Sequence, residues 1–326
     1  MSQPDVVTVG SLFVEVTPST PGTSLAEGRN FTLAPAGAAG NVVFALARLG
    51  MQVHFITAVG DDDFGMQLEN ELTSFGVSTA GVRHALGVLT PISFCAVDQE
   101  GGKKFSFYRF PGWSSPMQTL EESDFASAAS GKVFDFSEAA IRDPVIRPLV
   151  FQAARNARVA GVPVIYAVNL RRGSWHVPDE QIMSIQRSAV ALADILVLNA
   201  EEVHYISGIH AEEGMMALQA LGPRAVVMTN GGDGDVAILL GDECAVVPPQ
   251  PVTVVYDVGA GDVFHAALVA ELLQRDIAGM TLEKLVSAVR FAVSAAAIRV
   301  SSGPDPHQMP TRTEVEEWMQ GRGLTL

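Results

Sequence analysis

Short runs that are apolar on both faces recur along the chain: VVTVG from Val6, VHFITAVG from Val53, VPVIYAV from Val162, ILVLN from Ile195 and AVVMTN from Ala225. A strand with one wet face alternates, so unbroken β-branched runs predict strands covered on both sides, as in a parallel sheet between helices. Stretches between many of these runs carry the complementary period. Val42, Ala45, Leu46 and Leu49 fall at i, i+3, i+4 and i+7, and Gly50 follows where a C-terminal cap belongs. A helix over residues 41–50 is therefore expected to pack on the sheet. Residues 92–110 break the series, reading as two strands around Asp98-Gln99-Glu100-Gly101-Gly102, with FSFYRF alternating its larger apolar groups with Ser106 and Arg109. A hairpin inside a βαβ series has no parallel neighbour to join, so with the segment from Leu12 to Leu33 it is expected to project as a small β lid. The fold expected is α/β: a three-layer α/β/α core with a mainly parallel central sheet over residues 1–11, 34–90 and 112–326, and a small β-sheet lid over 12–33 and 91–111.

Composition narrows the function classes. With 326 residues, 48% of them hydrophobic and 17% charged, the chain can bury a large core, which excludes intrinsic disorder. Lys and Arg number 21 against 36 Asp and Glu, a formal charge of -15 that repels phosphate backbones and anionic lipid, so neither nucleic acid nor membrane is expected as a partner. The N-terminus lacks the pattern of an export signal and no apolar run reaches the ~18 residues that span a bilayer, so a cytoplasmic location is expected. Cys95 and Cys244 lie far apart in apolar stretches and read as two buried thiols in a reducing compartment.

Two glycine-containing strings carry candidate chemistry. In YDVGAGDVFHAALVAELL, Gly259-Ala260-Gly261-Asp262 follows an extended segment and opens a helix with Phe264, Ala267, Leu268 and Leu272 on one face. Small residues let the backbone approach an oxyanion, and the free N–H groups of a first helical turn supply donors and a favourable dipole. Asp262 then stands where a carboxylate could take the proton of an attacking hydroxyl. A glycine-rich turn with Asp as helix cap is the plain alternative. In APAGAAGNVVFALARLG, Gly37 permits close approach of a ligand and Asn41 offers an amide suited to sugar hydroxyls; alone, this string reads as a packed loop and helix cap.

Taken together and in order, these strings resemble the signatures of the ribokinase-like, PfkB-type carbohydrate kinases, of the fructokinase or 2-keto-3-deoxygluconate kinase type. Residues 37–65 resemble the first signature and 256–273 the second. Between them, Asn199-Ala200-Glu201-Glu202 matches the family's N-x-x-E, associated with magnesium and phosphate, and MTNGGDG matches its nucleotide-contacting stretch at Thr229, Gly231 and Gly234. The resemblance implies a ribokinase-like core that binds ATP and Mg2+ and phosphorylates a small sugar or sugar acid. It implies Asp262 as catalytic base, with Gly259, Ala260 and Gly261 as the anion hole, Gly261 also meeting the nucleotide. Glu15, Gly37, Asn41, Phe107, Arg109, Asn169 and Arg171 correspond to substrate-binding positions, Asn199 to a nucleotide contact, and Glu202 to a magnesium contact made through water.

The departures matter as well. Glu15 stands where many members have an Asp that grips two sugar hydroxyls, and Ala167-Val168 replaces an Asp-Pro ahead of Asn169, Arg171 and Trp175. Tyr256 replaces the carboxylate linked to a monovalent-cation site, so potassium activation does not follow from the resemblance, although Asp257 stands next to it. Arg109 and Arg171 could converge on one anionic group, which tilts the expected substrate from fructose towards an acidic keto sugar such as 2-keto-3-deoxygluconate. Other readings are a ribose or nucleoside kinase of the same family, or a catalytically weak sugar-binding regulator on the kinase scaffold; an intact GAGD string favours an enzyme. A dinucleotide site at Gly232-Asp233-Gly234 is disfavoured because VAILL, a strand pattern, follows it where a helix is required. Exposed edges in a lid of few strands raise the expectation of a homodimer through the lid.

Overall fold

The computed structural model describes residues 3–20, 22–97, 103–107, 114–232, 234–303 and 305–324. The chain forms β1 (Val6–Val9), leaves the core for β2 (Phe13–Pro18) and β3 (Phe31–Ala36), and returns through α1 (Ala38–Arg48) to β4 (Val53–Gly60), α2 (Asp63–Ser74) and β5 (Val82–Ala85). It leaves again for β6 (Ile92–Val97) and β7 (Lys103–Phe107). Next come β8 (Val133–Ser137), α3 (Glu138–Ile141), α4 (Arg147–Val159), β9 (Val164–Ala167), α5 (Asp179–Val190), β10 (Ile195–Asn199), α6 (Ala200–Ser207), α7 (Ala211–Gln219) and β11 (Ala225–Thr229). A hairpin of β12 (Val236–Leu240) and β13 (Glu243–Val247) precedes α8 (Ala260–Gln274), α9 (Leu282–Val300) and α10 (Arg312–Gly321).

The larger sheet runs β13-β12-β11-β10-β9-β8-β1-β4-β5. From β11 to β5 every pairing is parallel, and β12 runs antiparallel to both its neighbours. Strand periodicity sorts its side chains into two cores. Val6, Val133, Ile165 and Ile195 join α1, α8 and α9 on one face, while Val7, Phe134, Phe136, Val164, Tyr166 and Leu196 join α4 and the buried residues of α6 and α7 on the other. This is the three-layer α/β/α arrangement the apolar runs predict. Among the described residues no helix is long and apolar enough to cross a membrane.

The smaller sheet has the order β3-β2-β6-β7. Its hairpin pairs Ser93 with Phe107 and Val97 with Lys103, as the alternation in 92–110 predicts. In β2, Val14 and Val16 are buried in the same apolar cluster as Leu68 and Leu72 of α2, so Phe13, Glu15 and Thr17 face the other way. Three details differ from the sequence reading. β3 runs on to Ala36 because Ala34, Pro35 and Ala36 stay in register with Glu15, Val14 and Phe13, so the small sheet extends past residue 33. Helix α1 starts at Ala38 rather than 41: Gly37, at φ 115, turns the chain early and the small residues behind it continue the helix. Cys244 is exposed on the edge strand β13, and only Cys95 is buried.

Asp62 clips the two sheets together. It caps α2 through Gly65 N at 2.8 Å and accepts from Thr90 N and Thr90 Oγ1, both at 2.7 Å, just ahead of β6. Thr90 Oγ1 in turn accepts from Gly60 N at 2.9 Å. Burial alone would raise the Asp62 carboxyl, but bonds from Thr90, Gly65 and Phe64 outweigh it and hold the group below its ordinary value. Asp62→Ala is expected to lower unfolding free energy by ~1–3 kcal/mol at neutral pH. A group with a lowered folded-state pKa stabilises above its unfolded value, so the difference from wild type should shrink as pH falls below about 4 and on through the lowered value. Urea unfolding at pH 7 and pH 3 checks both; a difference that does not change with pH would point to lost packing instead.

Candidate active site

The C-terminal ends of β1, β8, β9, β10 and β11 open into a cleft of about 2340 Å³, walled on one side by Phe13, Glu15 and Thr17 of β2 and reached by the first turn of α8. Open α/β sheets bind ligands in this crevice, because it gathers strand ends and helix N-termini in one place.

The first turn of α8 is built for close approach. Gly259 holds φ 80, a left-handed value a side chain resists, and a Cβ there would stand 3.5 Å from Asn41 Nδ2. A Cβ on Gly261 would meet no atom within 4 Å, because it would point into the cleft. Among the described residues the N–H groups of Gly261 and Asp262 have no backbone acceptor, as expected of a helix start. Every residue of α8 from Val263 to Leu272 is buried, so this turn rests on a helix embedded in the core.

Asp262 projects from that turn. Its Oδ2 accepts from Asn41 Nδ2 of α1 at 2.8 Å, and its Oδ1 from Asn169 Nδ2 at 3.4 Å. Asn169 reaches it from the end of β9 in a left-handed conformation, φ 43. Burial raises the Asp262 carboxyl above its ordinary value, and the Asn41 bond with the charges of Arg171, His265 and Arg299 pulls it partly back. His265, one turn further along α8, bonds Asp135 Oδ1 through Nε2 at 2.7 Å, and Asp135 Oδ2 accepts from Thr8 Oγ1 at 2.9 Å. These groups anchor α8, just behind its cleft-facing first turn, to β1 and β8.

At the end of β10, Asn199 caps α6 by accepting from Glu202 N at 2.9 Å. Glu202 returns the bond through Asn199 N at 2.9 Å and also accepts from Leu170 N at 2.6 Å. Burial raises the Glu202 carboxyl, against the pull of those two N–H groups and of Arg171. Arg171 itself is exposed, and its side chain makes no hydrogen bond or ion pair among the described residues, although its charge acts on both Asp262 and Glu202. Thr229 also lines the cleft.

The structure thus gathers Glu15, Gly37, Asn41, Asn169, Arg171, Asn199, Glu202, Thr229, Gly259, Gly261 and Asp262 around one cleft. Ala260 starts α8 without lining the cleft, and Gly231 and Gly234 lie beyond the lining, on the turn after β11. Phe107 is placed through its backbone pairing with Ser93, whereas Tyr108 and Arg109 lie outside the described residues. Sequence reading missed Asp135, His265 and Arg299. The first and last sit in apolar strings, VFDFS and AAIRV, that read as core; His265 carries one legible signal, its i+3 spacing from Asp262.

A sheet of this topology, with a glycine turn and carboxylate at a helix start in its crevice, defines a ribokinase-like sugar kinase. The chain belongs to the pfkB family of carbohydrate kinases, whose family model matches residues 3–312. It is 30% identical over 319 residues to fructokinase-1 of Oryza sativa subsp. japonica, covering 97% of each chain. A fructokinase from Xylella fastidiosa with bound ATP superposes with a TM-score of 0.86 at 25% identity, covering 98% of this chain and 99% of that one. The aminoimidazole riboside kinase of Salmonella enterica shares the fold, with a TM-score of 0.81, 24% identity and coverage of 96% and 98%. The protein is an ATP-dependent carbohydrate kinase.

The electrostatics of the site can be measured without turnover. Carbon-detected NMR titration of the ligand-free protein is expected to place the Asp262 midpoint above the usual carboxylate value of about 4. Asn41→Ala should move it higher still, because that bond favours the charged form; a midpoint that falls on substitution would contradict the geometry.

Proposed function

We propose that the protein transfers the γ-phosphoryl group of ATP to a primary hydroxyl of a neutral, fructose-like ketose, with Asp262 as the base. The observation that carries this reading is the Asp262 carboxylate, oriented by Asn41 and Asn169 beside a helix turn whose N–H groups and missing side chain leave room for an oxyanion. The hydroxyl proton passes to Asp262 as the oxygen bonds to the γ-phosphorus and the bond to the ADP oxygen breaks. The N–H groups of Gly261 and Asp262 and the dipole of α8 meet the charge on the transferring group. Phosphoryl transfer has a loose transition state, so position and charge matter more than base strength, and a partly buried carboxylate suffices. Arg171, whose charge acts on the carboxylates of both Asp262 and Glu202, is assigned to offset phosphate charge.

Magnesium belongs to the same proposal. Among the described residues no cluster of three or more His, Cys, Asp or Glu could hold a metal, and each Glu202 oxygen already accepts one backbone N–H. These donors suit an ion carried by nucleotide phosphates, with Glu202 reaching it through water. When bound, it would neutralise phosphate charge. Asn199 and Thr229 are assigned to the nucleotide side, and Glu15, Gly37 and Asn41 to the sugar side.

Two features favour a neutral sugar over an acidic one. Glu15 lines the cleft and would oppose a second carboxylate there, and Arg171, whose charge reaches both Asp262 and Glu202, is assigned to phosphate rather than to the sugar. The fructokinases described above match 97% and 98% of this chain.

Asp262→Asn, which preserves shape, is expected to lower kcat by roughly two to four powers of ten with nucleotide affinity nearly unchanged. Near-wild-type turnover of the folded variant would remove Asp262 from the reaction. For the substrate, catalytic efficiency on fructose should exceed that on 2-keto-3-deoxygluconate, and Arg171→Ala should lower kcat on both without moving their ratio. A ratio that shifts against the acid on substitution would assign Arg171 to an acidic sugar.

A further inference from the structure

The resemblance of residues 256–273 to the family signature brings with it a monovalent cation, and the residues around Tyr256 do not fit one. Arg299, on α9, is 3% exposed, and its guanidinium carbon lies 5.2 Å from the centre of the Tyr256 ring. Its Nη1 donates to the carbonyl oxygens of Gly303 at 2.6 Å and Asp305 at 3.4 Å. Its Nε comes within 3.8 Å of the point a Cβ on Gly259 would occupy. One residue further along α9, the carbonyl of Val300 accepts from Val255 N at 2.7 Å and Tyr256 N at 3.0 Å, so the segment entering the GAGD turn is docked on this end of the helix.

A potassium or sodium ion here would need oxygen ligands and a compensating negative charge. The carbonyls of Gly303 and Asp305 are engaged by a cation that is part of the chain, and a second positive charge beside a buried guanidinium is repelled. Nor does the side chain at 256 supply the charge. Burial, with Glu15 nearby, pushes the Tyr256 phenol well above its ordinary value, so it stays neutral. A guanidinium, unlike a bound ion, is always charged and cannot dissociate.

We propose that Arg299 is a built-in cation that positions the GAGD turn from behind, so that phosphoryl transfer proceeds without a monovalent ion. Its charge also acts on Asp262, favouring the ionised form. The proposal rests on Asp262 and this turn being the site of transfer.

The test compares potassium, sodium and tetramethylammonium chlorides at one ionic strength, with ATP, magnesium and whichever sugar turns over. Wild-type kcat is expected to stay within about twofold across the three salts, and the melting temperature with ATP bound should show no potassium-specific rise. Arg299→Ala should lose roughly tenfold to a hundredfold in kcat while KM for ATP changes little, with guanidinium ion or potassium restoring part of the loss. Arg299→Lys, which keeps the charge, should retain more kcat than Arg299→Ala. Severalfold activation of the wild type by potassium, or wild-type kcat in folded Arg299→Ala, would overturn the proposal. If Arg299→Ala does not fold, the wild-type salt series and Arg299→Lys decide. Failure of the substrate assignment alone would show separately, as turnover with a different sugar under the same salt response.

Discussion

The hydrogen bond from Asn41 to Asp262 joins the first turns of two helices that lie 221 positions apart in sequence. It fixes what neither helix could fix alone. Helix α8 carries the carboxylate and the open N–H groups, but its orientation comes from being buried on all sides. Helix α1 follows the small sheet, and Gly37 at φ 115 sets the angle at which it enters the core. The bond between them therefore transmits the position of the small sheet to the carboxylate. A displaced α1 would leave Asp262 with only the longer contact to Asn169.

Charge around this point is distributed with care for burial. Glu202, Asp135, His265 and Arg299 are each under a tenth exposed, and each has a hydrogen-bonded partner of fixed geometry. Such groups keep their orientation when ligand arrives, which is what electrostatic preorganisation requires. Arg171 is the contrast: exposed, and its side chain bonded to nothing described. Buried, bonded groups around an exposed arginine suit a site where phosphates come and go.

Much of this was legible because the relevant signals are local. Runs such as VVTVG and ILVLN are too apolar for a half-exposed strand, and β1 and β10 lie in the middle of the parallel sheet. The GAGD turn and Asn41 announced themselves through small residues at a helix start. What stayed hidden depends on pairing across the fold. Asp135 lies between two phenylalanines, so its string reads as core; only the meeting of β8 with α8 supplies the histidine that makes a buried carboxylate tolerable. Arg299 follows three alanines and an isoleucine, and its partners are carbonyl oxygens, which have no sequence signature. The start of α1 was misplaced because Ala38-Ala39-Gly40 carries no periodicity, and the exposure of Cys244 reflects an edge strand that looks as apolar as a central one.

The small sheet is assembled from two excursions of the chain, β2–β3 and β6–β7, that meet only where β2 pairs with β6 in parallel. Between the two excursions the chain builds α1, β4, α2 and β5. A parallel pairing of such distant segments can close only after the intervening part of the core has brought their ends together, since loop closure must precede the contacts that reward it. The topology therefore favours forming the layered core before the small sheet closes on it. Because Val14 and Val16 of β2 belong to the core's own apolar cluster, opening the small sheet also uncovers Leu68 and Leu72 of α2, which ties its loss to the loosening of the layer beneath it.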